Sequence, residues 1–272
     1  MKYQYSVVLY DAVHPRSTFR AVCSGDGAGL DKRKEVWEGI LTMRFGLRKM
    51  TLLDFPGRVA CTVFTCGCNF RCPFCHNASL VRGSAEDLEF SEEELFKFLA
   101  SRKRLLDGVA VTGGEPLLHP ETPELLKKIK DLGFAVKLDT NGSFPEVLEK
   151  IIDSGSADYV AVDIKSSPAR YDRVCGRDGM FEKVSRTIAL LLEGKVDYEF
   201  RTTVVSGLHE VEDFPELGKA IAGAKRYFLQ NFKETDDLLE PWSSFGSVDR
   251  RTLEKMLAAV RPFVPAAALR GE

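Results

Sequence analysis

Three cysteines in one tight stretch dominate the chemistry open to this sequence. They are Cys68, Cys72 and Cys75, within Thr65-Cys66-Gly67-Cys68-Asn69-Phe70-Arg71-Cys72-Pro73-Phe74-Cys75-His76-Asn77. This spacing lets a single loop present three thiolates to three corners of a cubane [4Fe–4S] cluster. The fourth iron would then lack a protein ligand and stand open to a small molecule. Zinc is the competing reading, because Cys66 with the other three makes four thiolates for a tetrahedral site. Structural zinc sites usually set two CxxC-like knuckles apart by a longer spacer. Here all four sulfurs fall within ten residues, so the loop favours iron–sulfur. Cys23, Cys61 and Cys175 read as buried thiols.

Three further motifs sit where strands end. Thr112-Gly113-Gly114-Glu115-Pro116 closes a short apolar run; its two glycines permit close backbone approach to a ligand, and Glu115 can accept from a ligand ammonium. Asp139-Thr140-Asn141-Gly142 and Asp163-Ile164-Lys165 close the next two runs. Taken singly, each is equally well a turn, a capping aspartate or a solvated lysine. Four motifs on four successive strand ends point to one site.

The elements that position them alternate. Strands are expected at residues 59–64, 109–111, 134–138, 159–164, 196–205 and 227–230. Helices are expected from a capping box at Ser91 and Glu94, then at 122–132 closed by Gly133, 145–154, 181–192, 213–222 and 249–260. Six strands each followed by a helix predict an α/β fold with a parallel sheet. Doubly wound and barrel closures both fit that count.

The 272 residues carry 38 Lys+Arg against 40 Asp+Glu, a net charge of −2, which excludes a broad basic surface for nucleic acid. No apolar run approaches the roughly 20 residues that span a bilayer, and the N-terminal apolar stretch, Val7-Val8-Leu9-Tyr10, is too short for a signal peptide. A cytoplasmic protein is expected. Five of the seven cysteines lie between residues 61 and 75, a crowding that in such a chain means metal or redox chemistry. Residues 1–42 lack sustained periodicity. Trp37-Glu38-Gly39 needs purine-rich codons, as a ribosome-binding site just ahead of Met43 would. Residues 1–42 are expected to be a mistranslated leader or a disordered extension, the alternative being a genuine arm with a short strand at 3–10. Residues 43–272 form the expected domain.

The cysteine spacing, with aromatic Phe74 before the third cysteine, resembles the signature of the radical S-adenosylmethionine (SAM) superfamily, and Gly113-Gly114-Glu115 resembles its second motif. Asp139-Thr140-Asn141-Gly142 and Asp163-Ile164-Lys165 resemble motifs of the glycyl radical enzyme activases, such as pyruvate formate-lyase activating enzymes. The segment 49–57, His76-Asn77, Arg201-Thr202-Thr203-Val204 and Leu229-Gln230-Asn231-Phe232 are similar to the branch that activates anaerobic ribonucleoside-triphosphate reductase. The resemblance covers about residues 43–235.

It implies a partial (β/α)6 TIM-like barrel with a [4Fe–4S] cluster on Cys68, Cys72 and Cys75. It further implies SAM chelated to the open iron, one-electron cleavage of the sulfonium and a 5′-deoxyadenosyl radical that abstracts a hydrogen atom. Asp139, Thr140 and Asp163 would hold a monovalent cation. Phe74, Gly113, Gly114, Glu115, Asp139, Asn141 and Lys165 would contact SAM, and Arg201 and Gln230 would contact SAM or substrate. The implied partners are a glycyl radical enzyme and a flavodoxin or ferredoxin-type electron donor. Only Cys175 lies beyond the loop, which argues against a second cluster. A six-stranded barrel leaves a lateral opening through which a macromolecular loop can enter. Two other readings stay open: a radical SAM enzyme acting on a small molecule, as 7-carboxy-7-deazaguanine synthases do, and a zinc-bearing binding module. Cys66 has no counterpart role. Arg173-Val174-Cys175-Gly176 mimics the glycyl radical loop of the partner enzymes and reads as a coincidence just ahead of a helix.

Overall fold

The computed structural model describes residues 43–82, 88–233, 238–239 and 245–271. The expectations for residues 1–42 lie outside the described residues. Nine strands form one sheet: β1 (Arg44–Thr51), β2 (Ala60–Thr65), β3 (Phe90–Ser91), β4 (Gly108–Gly113), β5 (Ala135–Thr140), β6 (Tyr159–Asp163), β7 (Asp197–Val204), β8 (Tyr227–Asn231) and β9 (Ala268–Arg270). Their order is β3-β1-β2-β4-β5-β6-β7-β8-β9. From β2 through β4 to β9 every pairing is parallel and strictly sequential. Right-handed crossovers between strands in that order put all the helices on one face and curl the sheet. A doubly wound sheet would reverse its order part-way. The fold is therefore a partial TIM-like barrel, as the resemblance implied.

Eight helices accompany the described strands: α1 (Ala78–Arg82), α2 (Glu92–Ser101), α3 (Thr122–Asp131), α4 (Pro145–Asp153), α5 (Tyr171–Cys175), α6 (Met180–Leu192), α7 (Phe214–Ala220) and α8 (Arg250–Val260). The capping box starts α2: the Glu94 amide donates to Ser91 Oγ at 3.2 Å, and the Ser91 amide donates to Glu94 Oε2 at 2.8 Å. The six expected strands are β2 and β4–β8, within a residue or two at most ends. Three strands and two short helices add to the expectation. β1 and β3 pair antiparallel at one edge, and β9 closes the other. The helix expected at 213–222 is shorter, because residues 211–213 form a separate 3-10 turn.

Alternation along the strands splits the side chains into two layers. Val109, Val111, Val136, Leu138, Val160, Val162 and Phe200 join the apolar core with Leu95 and Leu99 of α2, Leu126 and Ile129 of α3, Ile151 of α4 and Ile188 of α6. Full burial of each such side chain contributes about 2 kcal/mol. The intervening positions, Thr112, Asp139, Asp163, Arg201 and Gln230, face a cavity inside the curl. Polar residues on the concave side are what distinguish this sheet from a packed barrel core. Among the described residues no helix is long and apolar enough to cross a membrane.

Candidate active site

The cysteine loop leaves the C-terminal end of β2 and is fastened to the end of β4. The Gly114 amide donates to the Thr65 carbonyl at 3.0 Å, and the Glu115 amide to the Gly67 carbonyl at 2.8 Å. Two side-chain-free residues make that approach possible. A Cβ on Gly113 would stand 2.2 Å from Thr65 O, and one on Gly114 would stand 2.0 Å from Gly67 O. Gly113 also has φ +127°, where L side chains are strained.

Arg71 gathers the loop's carbonyls, its Nη1 donating to Phe70 O at 2.7 Å and to Cys68 O. Asn69 Nδ2 donates to Ser143 Oγ at 2.8 Å, and Asn141 Nδ2 donates to Asn69 Oδ1 at 2.9 Å. The strand-end motif of β5 is thereby tied to the cysteine loop. From the opposite side, the Cys175 carbonyl accepts the Arg71 amide at 2.9 Å and the Cys72 thiol at 3.8 Å. Residues 173–176 lie just ahead of helix α6, as expected, and are themselves part of helix α5 and its left-handed cap Gly176, packed on the loop.

Cys68, Cys72 and Cys75 open onto one cavity of about 230 Å³, together with Phe74, Gly113, Gly114, Asp139, Thr140, Asn141, Asp163, Lys165, Arg201 and Gln230. Every site residue expected from the sequence is on its wall except Glu115. Cys66 is not on the wall either; its carbonyl accepts from His119 Nε2 at 2.6 Å. The wall therefore carries three thiols, not a zinc set of four. Burial pushes the Cys68 thiol up to about 11, with the nearby Glu115 carboxylate adding to it, and pushes Cys72 up to about 12. A metal centre bound by these thiols would displace their protons. Cys61, also pushed to about 12 by burial, lies in the apolar core.

Glu115 is fully buried. It accepts from Thr140 Oγ1 at 2.7 Å, from the Asn141 amide at 2.6 Å and from the Leu117 amide at 3.0 Å. Burial raises its pKa to about 7 against the pull of those donors. Its carboxylate binds the end of β4 to the end of β5.

A ladder of alternating charge runs along the cavity wall. Lys137 pairs with Asp139, and Arg201 bridges Asp139 (Nη2, 3.1 Å) and Asp163 (Nε, 2.5 Å). Lys165 pairs with Asp163 at 3.2 Å. Burial alone would raise Asp163, but Arg201 and Lys165 outweigh it and hold the carboxyl well below its usual range. Burial would lower Lys165, and Asp163 with the nearby thiols holds it above. Asp139 and Asp163 thus already face three cations of the chain, and the Thr140 hydroxyl donates to Glu115. As arranged, this donor set does not fit a bare monovalent cation.

The partners of the His76-Asn77 motif, and the role of His209, come from the fold and not from spacing. His76 stacks on Phe232, with ring centroids 5.0 Å apart, and Asn77 Nδ2 donates to the Gly113 carbonyl at 3.2 Å. His209 is buried behind the wall. Its Nδ1 accepts from the Val205 amide at 3.1 Å and its Nε2 donates to the Lys165 carbonyl at 2.7 Å. Burial lowers its pKa, so it stays neutral and fixes the backbone of Lys165.

Comparison with known proteins agrees with this geometry. Residues 62–220 match the sequence profile of the Radical SAM superfamily. A Methanocaldococcus jannaschii protein bearing the name of a glycyl-radical enzyme activating enzyme is 29% identical over 233 residues, 83% of this chain and 94% of its own length. A 7-carboxy-7-deazaguanine synthase from Methanopyrus kandleri is 28% identical over 238 residues, 78% of this chain and 89% of its own. The fold superposes on a radical SAM methyltransferase from Sphaerobacter thermophilus with a TM-score of 0.62 at 15% identity, covering 81% of this chain and 68% of that one.

Proposed function

The chain belongs to the radical SAM superfamily, and we propose that it is an activase that abstracts a hydrogen atom from a backbone glycine of a partner enzyme. Its cofactors are a [4Fe–4S] cluster and SAM. When bound, these supply one-electron cleavage of the sulfonium C–S bond and, through the carbon fragment released, hydrogen-atom abstraction.

The observation that carries the reading is the single cavity that unites three cysteines with the ends of successive parallel strands. Cys68, Cys72 and Cys75 hold the cluster. Phe74, Gly113, Gly114, Asn141 and Lys165 receive SAM, with Arg201 and Gln230 on the far wall. Glu115 acts by positioning, since it locks Asn141 and Thr140 to the strand that carries the two glycines. The Asp139–Arg201–Asp163 ladder fixes Lys165 and presents balanced charge to a bound zwitterion.

Support for the activase reading comes from the name of the M. jannaschii relative and from the open sheet, whose edge strands β3 and β9 lie at opposite ends of the order. A side left open in this way admits a loop of a large partner. The partner is an anaerobic ribonucleoside-triphosphate reductase, and the electron donor a flavodoxin or ferredoxin-type protein. The catalytic domain is residues 43–272. The same reading places the protein in the cytoplasm, where thiols stay reduced; none of the six described cysteines is in a disulfide.

The test mixes loaded protein, SAM, reductant and the reductase anaerobically and records electron paramagnetic resonance. A glycyl radical doublet on the reductase supports the reading. Release of 5′-deoxyadenosine without that doublet, together with formation of 7-carboxy-7-deazaguanine from its precursor, establishes the small-molecule alternative, which the M. kandleri relative favours.

A further inference from the structure

A second cavity lies inside the curl, behind the first. It holds about 180 Å³ and shares Asp139, Arg201 and Gln230 with the cavity that the cysteines line. Lys137 and Glu199 belong to it as well, each preceding its charged neighbour Asp139 or Arg201 by one pleat of β5 or β7. That places them about 7 Å deeper than the ladder, away from the C-terminal strand ends. On the outer side the wall includes Leu53, 90% exposed in the turn between β1 and β2, and half-buried Arg270 of β9. The chamber thus reaches the surface at the open side of the sheet.

The charges of this wall cancel. Lys137, Arg201 and Arg270 stand with Asp54, Asp139 and Glu199. An ionised ligand would leave one charge unanswered away from water, which is costly. Two wall residues keep hydrogen-bonding capacity. Lys137, its side chain 3% exposed, has three donors and, among the described residues, Asp139 as its one partner. Gln230 Nε2 donates to Thr203 Oγ1 at 2.8 Å, and among the described residues its Oε1 accepts no hydrogen bond. Glu199, in contrast, is engaged by Arg270 at 2.6 and 2.7 Å and by the Tyr159 hydroxyl at 2.8 Å. A chamber of balanced charge with spare donors on one residue and a spare acceptor on another suits an uncharged ligand bearing both C=O and N–H. A peptide group is such a ligand.

We propose that this chamber is a substrate subsite for polypeptide backbone, in which Lys137 donates to a peptide carbonyl beside the target glycine and Gln230 Oε1 accepts a peptide N–H. The inference rests on the activase reading and deepens it. The glycine Cα then stands at the boundary of the two cavities, where Asp139, Arg201 and Gln230 line both. Both residues bind and orient the backbone, and neither forms nor breaks a covalent bond.

The test uses the full chain, reconstituted anaerobically with iron and sulfide, as wild type, Lys137→Met and Gln230→Met, with the reductase as substrate. Glycyl radical formation is followed by electron paramagnetic resonance at varied reductase and at varied SAM, and 5′-deoxyadenosine is counted per radical formed. In each variant KM for the reductase should rise about tenfold, the value of one such hydrogen bond, and by more than KM for SAM. The 5′-deoxyadenosine released per radical should rise with it, because the hydrogen atom is less often presented. Gln230→Met leaves every charge in place and decides the case if Lys137→Met does not fold. KM values for the reductase equal to wild type overturn the proposal. So does a rise in KM for SAM as large as that for the reductase, which would make these residues part of the SAM site alone. A wild type that releases 5′-deoxyadenosine but puts no radical on the reductase fails the activase reading itself, whereas radical formation that is the same in wild type and variants fails this inference alone.

Discussion

Gly114→Ala isolates the contact on which the site depends. The new methyl carbon would stand 2.0 Å from Gly67 O and 2.7 Å from Gly67 C, against an ordinary carbon–oxygen approach of about 3.3 Å. Both are backbone atoms, so the whole cysteine loop must retreat by roughly 1 Å. That movement breaks the Glu115 amide to Gly67 carbonyl bond of 2.8 Å, a loss of about 1 kcal/mol, and adds overpacking of about 1–3 kcal/mol. The expected cost is about 2–4 kcal/mol in urea unfolding of the iron-free protein, with iron uptake falling well below wild type because Cys68 moves with the loop. Gly133→Ala is the control. It has φ +93° and nothing within 4 Å of its Cβ, so it should cost about 1–2 kcal/mol of backbone strain and leave iron uptake intact. A Gly114→Ala protein as stable as wild type and fully loaded with iron would refute the reasoning.

Glu115 sets a pH dependence. Burial raises its folded pKa from 4.5 to about 7, so the native state holds a proton that the unfolded chain releases. This contribution to stability is complete below pH 4.5 and is lost as pH rises to about 7, on the order of 3 kcal/mol. Relative to Glu115→Gln, wild type should therefore lose that amount of stability as pH rises across the window; parallel curves, or a gain, would contradict the burial argument. Arg201→Met leaves Asp139 and Asp163 without the cation that bridges them, and about 3 kcal/mol of stability should be lost, measured by denaturant. Arg201→Lys should restore little of it, because an ammonium cannot reach both carboxylates as the planar guanidinium does. Stability unchanged in Arg201→Met would show that the ladder contributes nothing.

Much of the site was legible because its residues are clustered or sit at strand ends. Cysteine spacing placed three thiols in one loop, and alternation of strand and helix placed Gly113, Asp139 and Asp163 on one rim. Partners brought together by the fold were not legible. Gly113-Gly114-Glu115 reveals a carboxylate at a strand end, but the donors that occupy it come from Thr140 and Asn141 across the next strand. Arg201 reads as a residue aimed at the cavity, and only the neighbouring strands show it clamped between two aspartates. Edge strands escaped for a different reason. β1 is irregular, its register shifting between Arg48 and Thr51, so its apolar positions do not alternate, and three-residue β9 is too short to show a period. Arg173-Val174-Cys175-Gly176 stood out as a motif, while its use as a brace for the cysteine loop is a tertiary contact that no spacing encodes.

The most direct measurement is 5′-deoxyadenosine release by the full chain, reconstituted with iron and sulfide, reduced with dithionite and given SAM under anaerobic conditions. The expected result is release by wild type, by Cys66→Ala and by Cys175→Ala, with none from Cys68→Ala, Cys72→Ala or Cys75→Ala. Release that survives loss of Cys68 but not of Cys66, or a wild type that binds zinc in place of iron, would contradict the assignment of the three cysteines and the chemistry built on them.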